Sequence, residues 1–210
     1  MLKTSINTFA AAAIALGAFA SSAFAGTNTG PTEDIRGGSV SIVVSDEAKI
    51  ALSFGEINLR KVAPTTYDAS TGKIVSPIVT GALDRSNLRS EFGLSGGVQF
   101  RRETTVLSVT DLVVSIPGAS TNCEVSALFT LNHGFRGRVK LATFSTTEAQ
   151  AQVPVADISG KTRFKLLGAQ LKLTSEAAAI LNEAFQTSAF QAGLDLGTAN
   201  LGAVAADREL

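Results

Sequence analysis

The stretch LKLTSEAAAILNEAF, Leu171–Phe185, decides how the chain reads. Leu171 to Leu173 continue an alternating β pattern, apolar on one side and Lys172 on the other. Thr174 or Ser175 then supplies a hydroxyl that can cap a helix by accepting from a free N–H of its first turn. Ala177, Ile180, Leu181, Ala184 and Phe185 recur at helical spacing and predict one apolar stripe. The unit is a strand running straight into a short helix.

IVVSDEAKIALSF, Ile42–Phe54, has the same order near the other end. VSIVVSDEAKIAL aligns with AQLKLTSEAAAIL without a gap. Ser45 is the cap, and Asp46 and Glu47 sit where the helix dipole favours anions. Ala48, Ala51 and Leu52 share one face of a helix ending near Gly55. Either each half of one domain closes with the same strand-to-helix element, or two capped amphipathic helices converged by chance. Two copies do not make a solenoid, which needs about three or more.

Elsewhere the chain is rich in β-branched residues and glycine. EVSALFTL sets Val125, Ala127, Phe129 and Leu131 against Glu124, Ser126 and Thr130. KTRFKLLGAQLKL sets Thr162, Phe164 and Leu166 against Lys161, Arg163 and Lys165. Pro77 marks an edge or bulge, Gly96-Gly97 a bulge or bend, and RRETT a tight hairpin link. About ten short strands separated by Gly, Pro and Asn turns predict an all-β fold, a β-sandwich. The two short helices are expected to cap its ends or edges, where bare backbone invites aggregation.

The 210 residues suffice for one domain with a sizeable core. A chain 45% hydrophobic and 17% charged is not disordered. Lys plus Arg and Asp plus Glu are 18 each, and nucleic-acid binding, which draws on a basic excess, has no support. Phe occurs 12 times, Tyr once and Trp not at all, so Phe fills the core.

MLKTSINTFAAAAIALGAFASSAFA opens with Lys3, continues apolar from Phe9 to Ala20, and ends Ala23-Phe24-Ala25, the pattern of a secretory signal peptide. Its apolar run is shorter than the ~20 residues that span a bilayer, and no later segment is long enough. The expected organisation is a signal peptide over 1–25, a flexible lead over 26–37, one domain over 38–204 and a frayed end over 205–210. Such a chain is periplasmic, on the cell surface or secreted.

Candidate sites are few. His133, the single histidine, lies in LNHGF, and Tyr67, the single tyrosine, in PTTYDAS. Each is a candidate haem ligand and, on local composition, a turn or loop-tip residue. One His with Cys123 is a poor zinc set and no activated pair, and no metal site is expected. Cys123 itself reads as a buried strand residue. No clustered-aspartate calcium loop and no Gly-rich phosphate loop occurs. Arg136, Arg138 and Lys140 form one basic stripe, and Lys161, Arg163 and Lys165 a second. On neighbouring strands they would make one anion-binding face, or a solvated face with acidic partners opposite.

NLRKVAPTTYDASTGKIVSPIVTGALDRSNLRSEFGLSGGVQF, LVVSIPG, GRVKLATF and LTSEAAAILNEAFQTSAFQAGLDLGTANL resemble secreted bacterial domains of the haem-transport-associated (HtaA) type. The resemblance runs from about residue 38 to 204. It implies a β-rich, exported domain, often displayed on the cell surface. It also implies haem bound by a tyrosine near the domain start and backed by a histidine in a turn. The corresponding positions here carry Ile57 and Asn58, Arg102 and Glu103, and Leu94, so the usual haem-ligand positions are not matched.

The leading reading is an exported non-enzymatic module, structural, adhesive or binding, with cell-envelope or matrix partners. The alternative is a carrier of haem or another small hydrophobic anion. A hydrolase working with carboxylates alone needs two acids facing each other in a cleft, and ranks third.

Overall fold

The computed structural model describes residues 32–84, 87–118, 122–152 and 163–205. The expected signal peptide, the first half of the lead, Lys161 and the C-terminal tail beyond residue 205 lie outside the described residues. The elements are β1 (Thr32–Val44), α1 (Asp46–Phe54), β2 (Asn58–Val62), β3 (Thr66–Asp68), β4 (Lys73–Asp84), β5 (Arg89–Leu94) and β6 (Gly97–Arg102). They continue with β7 (Thr105–Pro117), β8 (Cys123–Leu131), β9 (Gly134–Phe144), β10 (Gln150–Gln152), β11 (Arg163–Leu173), α2 (Ser175–Phe185) and β12 (Asp195–Ala205). The first strand begins inside the expected lead: Thr32–Asp34 pair with Ala82–Asp84.

The expected sandwich is corrected to a barrel. The sheet runs β7-β5-β4-β1-β12-β11-β9-β8, and β8 pairs back onto β7, closing eight strands. Period-two alternation is the same in both architectures, because each buries one face of every strand. Closure is decided by which strand the last edge meets, which alternation does not encode.

Two strands change partner along their length. β7 pairs with β6 over Thr105–Thr110 and with β5 over Val113–Pro117. The change falls at Asp111, whose φ is 50°, inside the irregularity between Thr110 and Val113. β4 pairs with β3 over Lys73–Val75 and with β5 from Ile78 onward, the irregularity falling between Ile78 and Thr80. Pro77, which has no N–H to donate, sits beside that change. At one end β4 and β7 are therefore joined by β5, and at the other they are held apart by β2, β3 and β6.

Both helices cover the splayed end, and the doubled sequence unit is a doubled docking geometry. β12 lies between β1 and β11. Ser45 N–H donates to the Leu196 carbonyl and its hydroxyl to the Asp195 carbonyl at 2.5 Å. Thr174 N–H donates to the Leu141 carbonyl and its hydroxyl to the Lys140 carbonyl. Each hydroxyl also accepts from the helix, Ser45 from Ala48 N–H at 3.0 Å and Thr174 from Ala177 N–H at 3.2 Å. One side chain thus caps the helix and ties its start to the neighbouring strand. Gly197 permits this close approach at β1, since a Cβ there would lie 2.1 Å from the Val43 carbonyl oxygen.

The predicted apolar stripe of α2 is the face it buries: Ala177, Leu181 and Phe185 are buried and Ile180 and Ala184 half-buried. Removing either cap is expected to cost about 1 kcal/mol, since caps are worth ~0.5–2 kcal/mol. Ser45→Ala and Thr174→Ala should each lower the melting temperature by about 2–4 °C. The two losses should add in the double variant, as read by thermal circular dichroism.

Candidate functional site

The lumen is filled differently at its two ends. Away from the helices, Phe92 and Phe164 stack across it with ring centroids 5.8 Å apart. Leu83, Ile116 and Cys123 pack there with almost no exposure. An eight-stranded barrel is just wide enough for side chains to fill or to hold one small ligand. At the splayed end the strands stand further apart, and filling passes to the helices.

They do not fill it completely. A cavity of about 110 Å³ lies under Ala48 and Leu52 of α1 and Leu181 of α2. Its walls include Val98 and Phe100 of β6 and Leu173 of β11. A second void of about 30 Å³ lies further down the lumen and shares the wall residues Val40, Ile42, Leu94, Leu112 and Leu171 with the first. Among the described residues, Ser76 carries the only polar side chain on the lining of the larger cavity. Its hydroxyl is paired with Thr65 Oγ1 at 2.9 Å, and Thr65 Oγ1 also donates to the Ser95 carbonyl at 3.2 Å. Such a lining gives water too few partners to stay. It also presents no carboxylate, imidazole or thiol for acid–base, nucleophilic or metal chemistry.

The candidate haem ligands stand outside this lining. Tyr67 is in strand β3 rather than at a loop tip, and packs with Val44, Ala48 and Ile74 on the cavity's outer wall. His133 is exposed and forms, with Asn132, the two-residue turn between β8 and β9; both have positive φ, 46° for Asn132 and 70° for His133. Asn132 ties that turn to β7, bonding Val106 through its backbone and side chain at 2.8 Å each. Three of the positions that the resemblance aligns with haem ligands lie in or beside the covered end. Leu94 is in the cavity wall, and Ile57 is buried just beyond α1. Arg102 stands on the rim beyond Val98 and Phe100, on the same side of β6.

The two basic stripes do not meet. β11 and β9 are neighbours, but they pair only at Lys172–Thr143 and Leu173–Ala142. Lys140 is level with the start of α2. Lys165, nine residues back along β11, pairs instead with Gln152 and Gly202, roughly 30 Å away at ~3.3 Å per residue. Arg163 pairs with Val204 on the same distant part of β11, and Lys161 lies outside the described residues. The β9 cations face carboxylates: Arg136 meets Glu183 at 3.3 Å, Arg138 meets Asp111 at 2.5 Å and Lys140 meets Glu124 at 2.5 Å. Arg138 also donates to the Asp111 carbonyl at 3.0 Å, pinning the bend at which β7 changes partner.

Among the described residues, no group of three or more His, Cys, Asp or Glu could hold a metal, and no helix is long and apolar enough to cross a membrane. Sequence reading missed the cavity and marked Arg102 only as a mismatch at a haem-ligand position. The signal for Arg102 was parity, because it continues the inward series of Val98 and Phe100.

The fold and site define a class, a helix-capped β-barrel with an apolar cavity beneath the caps. More particularly, the chain has the fold of the HtaA-type domain, in a divergent form. The C-terminal domain of HtaA from Corynebacterium glutamicum superposes with a TM-score of 0.60 at 14% identity, covering 83% of this chain and 99% of that one. The N-terminal domain of HtaA from the same organism gives 0.51 at 11% identity, covering 82% and 99%. The haem-binding protein HtaB from that organism gives 0.47 at 12% identity, covering 84% and 96%. No family model matches the chain, and no curated protein matches it.

Cys123 is fully buried on β8, and desolvation pushes its thiol above the ordinary cysteine range despite hydrogen bonds from Thr146. The reactive thiolate is therefore scarce in the folded protein. A disulfide reagent at neutral pH should label Cys123 far more slowly in the native protein than in urea; equal rates would place the thiol at the surface.

Proposed function

We propose that this chain is an exported, non-enzymatic carrier domain that binds a small hydrophobic anion at the helix-covered end of its barrel. The apolar cavity under α1 and α2 carries the reading. A structural or adhesive module has no use for a dry void at its splayed end. Ligand carriage therefore moves ahead of the envelope or matrix role that the sequence placed first.

The resemblance to haem-transport-associated domains makes haem one anion of this class. The cavity offers haem an apolar bed but fits it poorly. No lining side chain can ligate iron, and about 110 Å³ is below the ~300–1,000 Å³ of pockets that enclose larger ligands. Tyr67 on the outer wall and His133 in the hairpin turn are the candidate iron ligands left in the chain.

Binding should be followed with two probes, hemin by its Soret band and naphthalene-1-carboxylate by its fluorescence. Saturable binding of at least one is expected, and Leu52→Trp, which fills the cavity, should weaken it tenfold or more, about 1.4 kcal/mol. If haem is the ligand, Tyr67→Phe or His133→Ala should weaken the Soret band. Binding of neither probe, or binding indifferent to Leu52→Trp, would sink the proposal.

A further inference from the structure

We infer that the ligand is a short aliphatic carboxylate whose chain enters the adjoining voids and whose head group is held by Arg102. This rests on reading the covered end as a ligand site, and it names the chemistry of that site.

The first observation is charge. Several cations near the covered end have a carboxylate partner: Lys49 has Asp46 at 3.0 Å, Arg136 has Glu183 at 3.3 Å and Lys172 has Asp195 at 3.7 Å. Arg102 has none among the described residues. Its one polar contact there is Nη1–H to the Phe185 carbonyl at 2.8 Å, at the last residue of α2. A guanidinium has five N–H donors in a planar fork, so most of its hydrogen-bonding capacity is left for an oxyanion. It is half-buried at an apolar rim, where water screens a charge pair less than at an open surface.

The second observation is shape. The two voids share five wall residues and lie one beneath the other along the lumen. Voids of about 110 and 30 Å³ have room for a short alkyl chain, and their lining is apolar apart from Ser76. A neutral or cationic amphiphile would leave Arg102 unmatched or repelled. A carboxylate-headed chain satisfies both ends of the site. Because Arg102 also holds the end of α2 to β6, the bound head group would reinforce the contact that keeps the cap in place.

Isothermal titration of the purified chain with hexanoate and with hexanol, whose short chains match voids of this size, tests the assignment. Hexanoate should bind at least about tenfold more tightly than hexanol, the gain expected from charge-assisted hydrogen bonds. Arg102→Gln should remove that preference while hexanol binding persists, and Arg102→Lys should retain part of it. Circular dichroism confirms that the variants keep their fold, and the comparison of the two ligands on the unaltered chain needs no variant at all. Equal affinity for hexanoate and hexanol, or a preference that survives in folded Arg102→Gln, overturns the role of Arg102 and leaves the cavity as a ligand site. Binding of neither overturns both.

Discussion

The hydrogen bonds between β7 and β8 close the sheet, and the rest of the molecule depends on that closure. With β8 paired to both β7 and β9, the barrel has no free edge on its main path. Closure creates a lumen that must be filled. At one end Phe92, Phe164 and their neighbours fill it. At the other, β4 and β7 are pushed apart by β2, β3 and β6, and strand side chains no longer reach across. Helical cover there is a consequence of the splay.

The two caps answer that requirement in one way, used twice. Ser45 and Thr174 occupy equivalent places in the two sequence units and make equivalent bonds to the next strand. The carbonyls they reach, on Asp195 and Lys140, belong to β12 and β9, each the antiparallel neighbour of the strand that carries the cap. Pseudo-symmetry of docking is what the repeated sequence encodes. The helices differ where they meet the rest of the protein: Glu47 accepts from Asp195 N–H at 3.2 Å, whereas α2 is held at its far end by Arg102.

Local features were legible in the sequence because their causes are local. Ser45 as cap, Glu103-Thr104 as the two-residue link between β6 and β7, and the buried face of α2 follow from chemistry within a few residues. Barrel against sandwich was not legible, since it turns on which strand meets the last edge. Nor was the separation of the basic stripes, which depends on how far β9 and β11 slide past each other. Tyr67 read as a loop tip because Thr, Asp and Ser surround it, yet its backbone pairs with Ile74. The cavity had no signature at all. It is the space left between Leu52, Leu181 and fifteen other apolar residues that would look the same in a filled core.

Splayed strands, paired caps and the void beneath them stand or fall together, and everything proposed for the covered end requires that the void exist and be apolar. Crystals of the protein under xenon pressure test this most directly, because xenon enters dry apolar cavities of about this size. Xenon is expected between Leu52, Phe100 and Leu181, under both helices. Ordered water at that position, or side chains packed through it with no xenon, would contradict the dry void.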